Sequence, residues 1–294
     1  SGQETLFFTF SMAKSITSTL VGMAIEDGHI DSVQDPLSRY LPALKCGVYE
    51  GVTIRDALQM MAGVLFDQPT YDQKDDSIPF TRVHRESVIE WRYRFVDAAN
   101  SLPRAGAIGE KWVYSTMNTA LLGSLVETAV GERLATYMSR RLWKPAGMEY
   151  DAEWYLDGPP EIGREQAGGN FAATLRDWGR FGLLALHQGR ANGNQLISSE
   201  WFQAATKPDR PPIEYGSIIP GSRLGFGYSW WLLKDVGFMA QGVHGQLLLV
   251  DPTTNVVIVK FSTWDTPWDG DLELECYAFF EGVVRSLAAA PTSR

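Results

Sequence analysis

The sequence predicts an antiparallel β-sheet covered by helices, with a mainly helical insertion in the middle of the chain. Two observations predict this arrangement. Helical patterns recur along the chain as far as Gly189, whereas residues 224–262 carry three β-prone apolar runs separated by turn residues. A last helical pattern follows those runs, so helices precede and follow the strands. We assign residues 1–55 and 166–294 to the sheet domain and residues 56–165 to the insertion.

The first part of the chain contains the longest predicted helix. An apolar, β-prone run leads to Ser11, where a helical pattern begins that places its apolar residues on one face and ends near Gly28. Shorter helices are predicted over residues 35–41 and over VTIRDALQMMAG, which ends at Gly63. Residues 66–110 are polar and rich in turn residues, which predicts a helical excursion with long loops.

The second part of the chain changes from helices to strands. Residues 115–130 form an amphipathic pattern, and GERLATYMSRRLWKPAG continues it as the next helix. After Gly168 comes the helical pattern TLRDWGRFGLLALHQG. The β-prone runs then carry FGYSWWLL, FMAQGVHGQLLLVD and NVVIVKFST, and residues 272–288 form the last helix.

Composition and charge limit the classes of function. The chain has 294 residues, of which 45% are apolar and 21% charged, as is typical of globular proteins. The net charge of −9 disfavours nucleic acid and anionic membranes as partners, because there is no basic surplus to neutralise phosphates. No apolar run approaches the roughly 18 residues that span a bilayer. A small-molecule substrate is therefore expected, and a homodimer stays open.

Cysteine and histidine usage predicts neither a metal site nor a disulfide framework. The two cysteines, Cys46 and Cys276, lie far apart, and the four histidines are scattered. We therefore expect no cofactor. No signal peptide is visible, which favours a cytoplasmic location, although the start of the chain is not informative because it lies only ten residues before Ser11.

Ser11 and Lys14 form an S-x-x-K motif at the junction of a strand-like run and a helix. Helical residues three apart lie on one face, with Cβ atoms about 5–6 Å apart, so the amine of Lys14 can reach the Ser11 hydroxyl. A buried lysine with a lowered pKa can take the proton of a serine nucleophile. The G-x-S-x-G and H-E-x-x-H patterns of other hydrolases are absent from the sequence.

At this motif the sequence resembles the serine β-lactamase and penicillin-recognising superfamily. The resembling branch contains class C β-lactamases, D-alanyl-D-alanine peptidases, family VIII carboxylesterases and 6-aminohexanoate-dimer hydrolases. Six landmarks follow in the family's order: FSMAKSITSTLVGMAIEDG, VTIRDALQMMAGV, WVYSTMNTALLGSLVE, AGGNFAATLRDWGRF, LGFGYSWWLL and GVHGQLLLVDP. The SMAKSI and YSTMN stretches are most similar to 6-aminohexanoate-dimer hydrolases. The resemblance implies a β-lactamase/transpeptidase-like fold, and an N-terminal segment of the family is not seen in this sequence.

The resemblance also implies roles for individual residues. Ser11 is the acylated nucleophile, and Lys14 accepts its proton. Tyr114 is the shared acid/base that protonates the leaving group. The backbone N–H groups of Ser11 and Gln246 form the oxyanion hole, which is often the largest electrostatic contribution to such reactions.

Two departures from the family pattern bear on the substrate. The tyrosine motif is commonly Tyr-x-Asn, but Thr116 holds the third position and Asn118 is expected to face elsewhere. The last strand carries Val243 where relatives have a lysine or histidine. The neighbouring His244 is expected to pack away from the site, because adjacent strand residues point to opposite faces. The missing cation disfavours β-lactams.

Further substrate-binding residues are expected among the tryptophans of the β-prone runs and in the polar excursion. Only one of Trp230 and Trp231 can face the pocket from a strand, and Trp230 is the choice here. Tyr71 either folds over the site or is an ordinary surface tyrosine.

The sequence therefore predicts a serine hydrolase without metal or cofactor that cleaves a small linear amide through an acyl-enzyme, as 6-aminohexanoate-oligomer hydrolases do. A carboxylesterase is the first alternative, followed by a β-lactamase or DD-peptidase. From another class, an inactive scaffold or binding protein is disfavoured because Ser11, Lys14 and Tyr114 are all present.

Overall fold

The computed structural model describes residues 2–67, 75–159 and 161–289. Within these ranges the α-helices are α1 Ala13–Glu26, α2 Ile54–Leu58, α3 Pro79–His84, α4 Thr116–Val130, α5 Leu134–Met138, α6 Leu175–Leu186, α7 Ser199–Ala205 and α8 Gly270–Ala289. The strands are β1 Phe7–Phe8, β2 Glu153–Trp154, β3 Phe171–Ala173, β4 Arg190–Ala191, β5 Asn194–Gln195, β6 Leu224–Phe226, β7 Trp231–Leu233, β8 Gly237–Gly242, β9 Gln246–Asp251 and β10 Val256–Lys260. Short 3-10 turns include Phe10–Met12 and Val243–Gly245.

The main sheet is antiparallel, as the sequence predicts. In the described residues its strand order is β10-β9-β8-β7-β6, and its side chains alternate between two apolar layers. One layer holds Leu232, Phe238 and Leu248 in the large core that also contains α1 and α6. The other holds Trp231, Met239, Leu249 and neighbours against α8. Burial of both faces by helices confirms the predicted covered sheet.

Helix α1 lies in the middle of the molecule. The sequence predicts one apolar face, but every residue from Ala13 to Ala24 is buried. Two of its buried hydroxyls donate to backbone carbonyls of other segments: Ser15 Oγ donates to Ser229 O at 2.8 Å and Thr17 Oγ1 donates to Ala167 O at 2.8 Å. Ser18 Oγ, by contrast, has no hydrogen-bond partner among the described residues. Buried hydroxyls are tolerated when they are hydrogen-bonded. The helix that carries the S-x-x-K motif is thus held on all sides.

Some predicted elements differ in detail. The helix expected over residues 35–41 is only a 3-10 turn, Leu37–Arg39, and the helix expected over residues 272–288 is α8. The sequence predicts the β-prone run that contains β1, but it does not predict α7 or the pairing of β1 in the small sheet of order β1-β3-β2. That sheet consists of strands of two or three residues, which are too short to show an alternating pattern. Each helix within the described ranges is too short or too polar to cross a membrane.

Gly22 offers a test of how tightly α1 is packed. A Cβ at Gly22 would lie 2.4 Å from the ring of Trp201 and 2.7 Å from Ile197, whereas a Cβ at Gly282 in α8 would have nothing within 4 Å. Both glycines are helical, so alanine gains up to about 1 kcal/mol of helix propensity at either position. Overpacking costs about 1–3 kcal/mol. Urea unfolding should show Gly22→Ala destabilised and Gly282→Ala stabilised; a stabilised Gly22→Ala would contradict the packing.

Candidate active site

Ser11 lies in a tight turn that the small sheet holds in place. Strand β1 pairs with β3, and beyond it Thr9 donates to Phe171 O from both its backbone N and its Oγ1, each at 2.9 Å. Phe10 then adopts a φ of +45°, an unusual conformation for a residue other than glycine. This turn places Ser11 directly before α1, where the helix N-terminus favours negative charge.

Lys14 lies in the first turn of α1 and is only 3% exposed. Within the described part of the chain its Nζ donates to Ser11 Oγ at 3.0 Å, to Thr116 Oγ1 at 3.0 Å and to the carbonyl oxygen of Gly168. Burial lowers the pKa of Lys14 to about 8, and the negative charge of Asp67 opposes that shift. A sizeable fraction of Lys14 is therefore neutral at mildly alkaline pH, as a general base requires.

Asp67 is a site residue that sequence reasoning missed. Its carboxylate accepts hydrogen bonds from Thr116 Oγ1 at 2.9 Å and from the backbone N–H of Thr116, the first residue of α4. The N-cap residue Ser115 makes no side-chain cap, so Asp67 caps the helix from 49 residues away. Capping patterns in a sequence link residues that are close in the chain, so the sequence holds no signal that identifies Asp67 as the cap of α4.

Tyr114 lies immediately before α4 and faces Lys14. The Nζ of Lys14 is 5.0 Å from the centre of the Tyr114 ring, and that ring stacks on Trp231 with centroids 6.1 Å apart. Burial and the charge of Asp67 raise the pKa of Tyr114, and a hydrogen bond with the Ser11 side chain acts in the opposite direction. Tyr114 is thus a neutral phenol near pH 7 and has a proton to donate.

The turn between β8 and β9 lies close to the segment before Ser11. A Cβ at Gly242 would lie 2.3 Å from Thr9 O, so only glycine allows the end of β8 to lie this close to the segment before Ser11. Gln246 follows the turn. Its side-chain amide donates to His244 O at 3.0 Å and to Ser262 O at 2.6 Å. The side chain therefore stabilises the turn, and Gln246 can serve the site only through its backbone.

Val243 and His244 both border the pocket that contains Ser11. The expectation that His244 faces away is wrong, because these residues form a 3-10 turn in which His244 has a φ of +60°, and strand alternation does not apply there. The imidazole Nδ1 lies 2.8 Å from Trp264 O, and the ring packs 5.5 Å from that of Phe10. His244 is therefore held in place at the wall of the pocket.

The pocket has a volume of about 280 Å³ and a largely apolar wall. Its apolar side chains are Phe10, Phe80, Ile89, Phe95, Ala120, Val243 and Pro267. Arg85 also borders it but forms ion pairs with Asp76 at 2.9 Å and Glu90 at 2.6 Å. Burial lowers the pKa of the neighbouring His84, which disfavours its charged form. Among the described residues, no group of three or more His, Cys, Asp or Glu side chains could hold a metal ion.

Several expected site residues lie elsewhere. The choice of Trp230 as a pocket residue is wrong: its ring is fully buried between Phe181 and Phe238, on the core face of the sheet. Trp231, on the opposite face, contacts Tyr114. Asn118 is turned away, as expected, and accepts a hydrogen bond from a buried tyrosine hydroxyl. Tyr71 lies outside the described residues.

Comparison with known proteins identifies the family of this chain. A family model described as beta-lactamase matches residues 2–275. The chain belongs to the beta-lactamase family. It is therefore a hydrolase of the β-lactamase fold, related to 6-aminohexanoate-dimer hydrolase. The 6-aminohexanoate-dimer hydrolase of Paenarthrobacter ureafaciens is 29% identical over 275 residues, which cover 88% of this chain and 68% of that protein.

Solved structures share the fold. One from Bacillus anthracis, whose name proposes a 6-aminohexanoate-dimer hydrolase, superposes with a TM-score of 0.83 at 24% identity and covers 99% of this chain and 75% of its own. A family VIII carboxylesterase superposes with a TM-score of 0.68 at 16% identity and covers 94% of this chain and 83% of its own. At these identities the likeness shows the fold alone.

The lowered pKa of Lys14 predicts the pH dependence of Ser11 reactivity. If Lys14 is the base that accepts the serine proton, reactivity should be low at acidic pH and rise as pH increases through about 8. The midpoint belongs to Lys14 coupled to its neighbours. Rates of Ser11 modification by a fluorophosphonate, measured from pH 6 to 10.5, test this. A rise only near pH ~10.4, where an exposed lysine titrates, would contradict it.

Proposed function

We propose that this protein is a serine hydrolase that forms an acyl-enzyme on Ser11 and cleaves small linear amides of the 6-aminohexanoate-oligomer kind. One observation carries the proposal: the buried Lys14 Nζ lies 3.0 Å from Ser11 Oγ, with a pKa of about 8. A nucleophile next to a base of lowered pKa is the arrangement that covalent catalysis needs.

Acylation proceeds as follows in this proposal. Neutral Lys14 takes the hydroxyl proton while Ser11 Oγ bonds to the carbonyl carbon of the substrate. The backbone N–H groups of Ser11 and Gln246 donate to the resulting oxyanion. Tyr114 then gives its phenolic proton to the leaving nitrogen, the C–N bond breaks, and Tyr114 regains a proton from Lys14. Because the pKa of Tyr114 is raised, the phenol holds this proton until the leaving group needs it.

Deacylation uses the same groups in reverse. A water molecule loses a proton to neutral Lys14 through Tyr114 and attacks the acyl carbon, and the Ser11–acyl bond then breaks as Ser11 Oγ regains its proton. The hydrolysis therefore consumes one water and leaves the Lys14–Tyr114 pair in its starting protonation state.

The pocket wall supports a substrate that has no carboxylate close to its reacting carbonyl, at the position of Val243. The carboxylate of a linear 6-aminohexanoate dimer meets this condition, because five methylene groups separate it from the amide nitrogen. An anion beside Val243 would meet an apolar side chain, and burial of an unpaired charge costs several kcal/mol. The Arg85 guanidinium that borders the pocket is already paired with two carboxylates. The 29% identity to a 6-aminohexanoate-dimer hydrolase supports a linear amide as the first substrate to try.

The Ser11→Ala variant should lose hydrolysis by several orders of magnitude and keep its fold, because removal of a nucleophile leaves only binding and electrostatic contributions. The measurements are turnover of the best substrate, mass spectrometry after fluorophosphonate treatment, and circular dichroism. Ser15→Ala is the matched control, since Ser15 hydrogen-bonds to Ser229 O and not to Lys14. Turnover by Ser11→Ala at the wild-type rate would exclude the proposed nucleophile.

Substrate preference tests the second half of the proposal. We expect kcat/KM for nitrocefin to be well below that for a 6-aminohexanoate dimer or a short-chain p-nitrophenyl ester. Val243→Lys should raise nitrocefin hydrolysis relative to the ester, because the new ammonium pairs with the β-lactam carboxylate. Val243→Met is the uncharged control of similar length. Faster hydrolysis of nitrocefin than of both other substrates by the wild type would overturn the amide assignment and leave the Ser11 chemistry intact.

A further inference from the structure

The hydrogen-bond donors and acceptors around Lys14 indicate a role for Thr116 and for Asp67, which is hydrogen-bonded to Thr116. We infer that Asp67, acting through Thr116, is a positioning residue that directs the lone pair of neutral Lys14 to the hydroxyl of Ser11. The inference rests on the proposed function, since it concerns how the proposed base receives the serine proton.

The first step concerns the hydroxyl hydrogen of Thr116. Oγ1 donates to Asp67 Oδ1 at 2.9 Å, and the backbone N–H of the same residue donates to Asp67 Oδ2. The carboxylate is thereby held against Thr116 by both of its oxygens. An ionised carboxylate only accepts, so the hydroxyl hydrogen stays on the Asp67 side and a lone pair of Oγ1 faces Lys14 Nζ, 3.0 Å away.

The second step compares the three partners of Nζ within the described residues. A protonated Lys14 donates to Ser11, Thr116 and the Gly168 carbonyl, which uses all three of its hydrogens. Neutral Lys14 has two hydrogens and one lone pair. The Gly168 carbonyl carries no hydrogen, and the hydroxyl hydrogen of Thr116 is directed at Asp67. Of these three partners only Ser11 can donate into the lone pair, which is the direction of proton transfer.

The third step concerns the charge of Asp67. An amide at this position could donate to Thr116 Oγ1 and release the threonine hydrogen to turn toward Lys14, and the lone pair would then be occupied unproductively. The same charge also favours protonated Lys14. Among the described residues, the titratable groups facing Lys14 are Asp67 and Tyr114, while His84, Arg85 and His244 line other parts of the pocket. Replacement of Asp67 by an amide therefore has two separable effects: it releases the hydroxyl hydrogen of Thr116, and it removes a charge that favours protonated Lys14.

The decisive variant is Asp67→Asn, assayed by the rate of Ser11 labelling with a fluorophosphonate as a function of pH. The plateau at high pH should fall about tenfold or more, because the base is misdirected. The midpoint should move to lower pH by roughly one unit, because a charge that favours the ammonium form is lost. A role of Asp67 through its charge alone would shift the midpoint without lowering the plateau.

Companion variants separate the hydroxyl from the charge. Thr116→Val should lower the plateau by a similar factor, and Thr116→Ser, which keeps the hydroxyl, should restore most of the loss. Asp75→Asn makes the same chemical change at an exposed carboxylate that is hydrogen-bonded to Ser77, and it should keep the wild-type profile. If Asp67→Asn does not fold, the comparison of Thr116→Val with Thr116→Ser decides the matter.

The outcomes distinguish the inference from the proposed function. Labelling of Asp67→Asn with the wild-type plateau and midpoint, or equal rates for Thr116→Val and Thr116→Ser, would overturn the inference while Ser11 stays the nucleophile. A wild-type protein that does not label at Ser11 would instead overturn the proposed function. A lowered plateau with the midpoint displaced to lower pH supports both.

Discussion

The burial of one amine, Lys14 Nζ, is the constraint on which the rest of the site depends. A buried ammonium is tolerated only when hydrogen bonds and a counter-charge compensate for lost hydration. Here Thr116, Gly168 and Asp67 supply them, and each comes from a different segment of the chain. The compensation is incomplete, so the pKa falls to about 8. The ammonium form of Lys14 is therefore stable enough to be buried and still loses its proton easily, as a general base must.

Close backbone approaches allow these segments to meet. Gly168 lies against the start of α4, where a Cβ would be 2.8 Å from both Thr116 O and Thr116 Cγ2. Gly242 makes a similar approach to the residue before Phe10. The site is therefore set by the distances at which main chains pack, and α1, buried on every side, is the fixed element that the other segments contact.

The sequence predicts those features of the fold and the site that depend on local periodicity. The spacing of Ser11 and Lys14 on one helix, the antiparallel strands and most helices follow from patterns of 3.6 and 2 residues. Asp67 could not be found this way, because it caps a helix 49 residues away. The choice between Trp230 and Trp231 depends on sheet register, which pairs Trp231 with Phe226 and Met239. His244 could not be placed because a turn residue breaks the alternation.

The approach of Gly242 to Thr9 also has a consequence for biosynthesis. Ser11 and Lys14 are made before the turn that leads to Gln246, because they precede it in the chain. Until β8 and β9 pair and dock on the segment before Ser11, a nascent chain has the proposed nucleophile and base but lacks the backbone N–H of Gln246 beside them. The proposed hydrolysis therefore depends on contact between two parts of the chain that are distant in sequence.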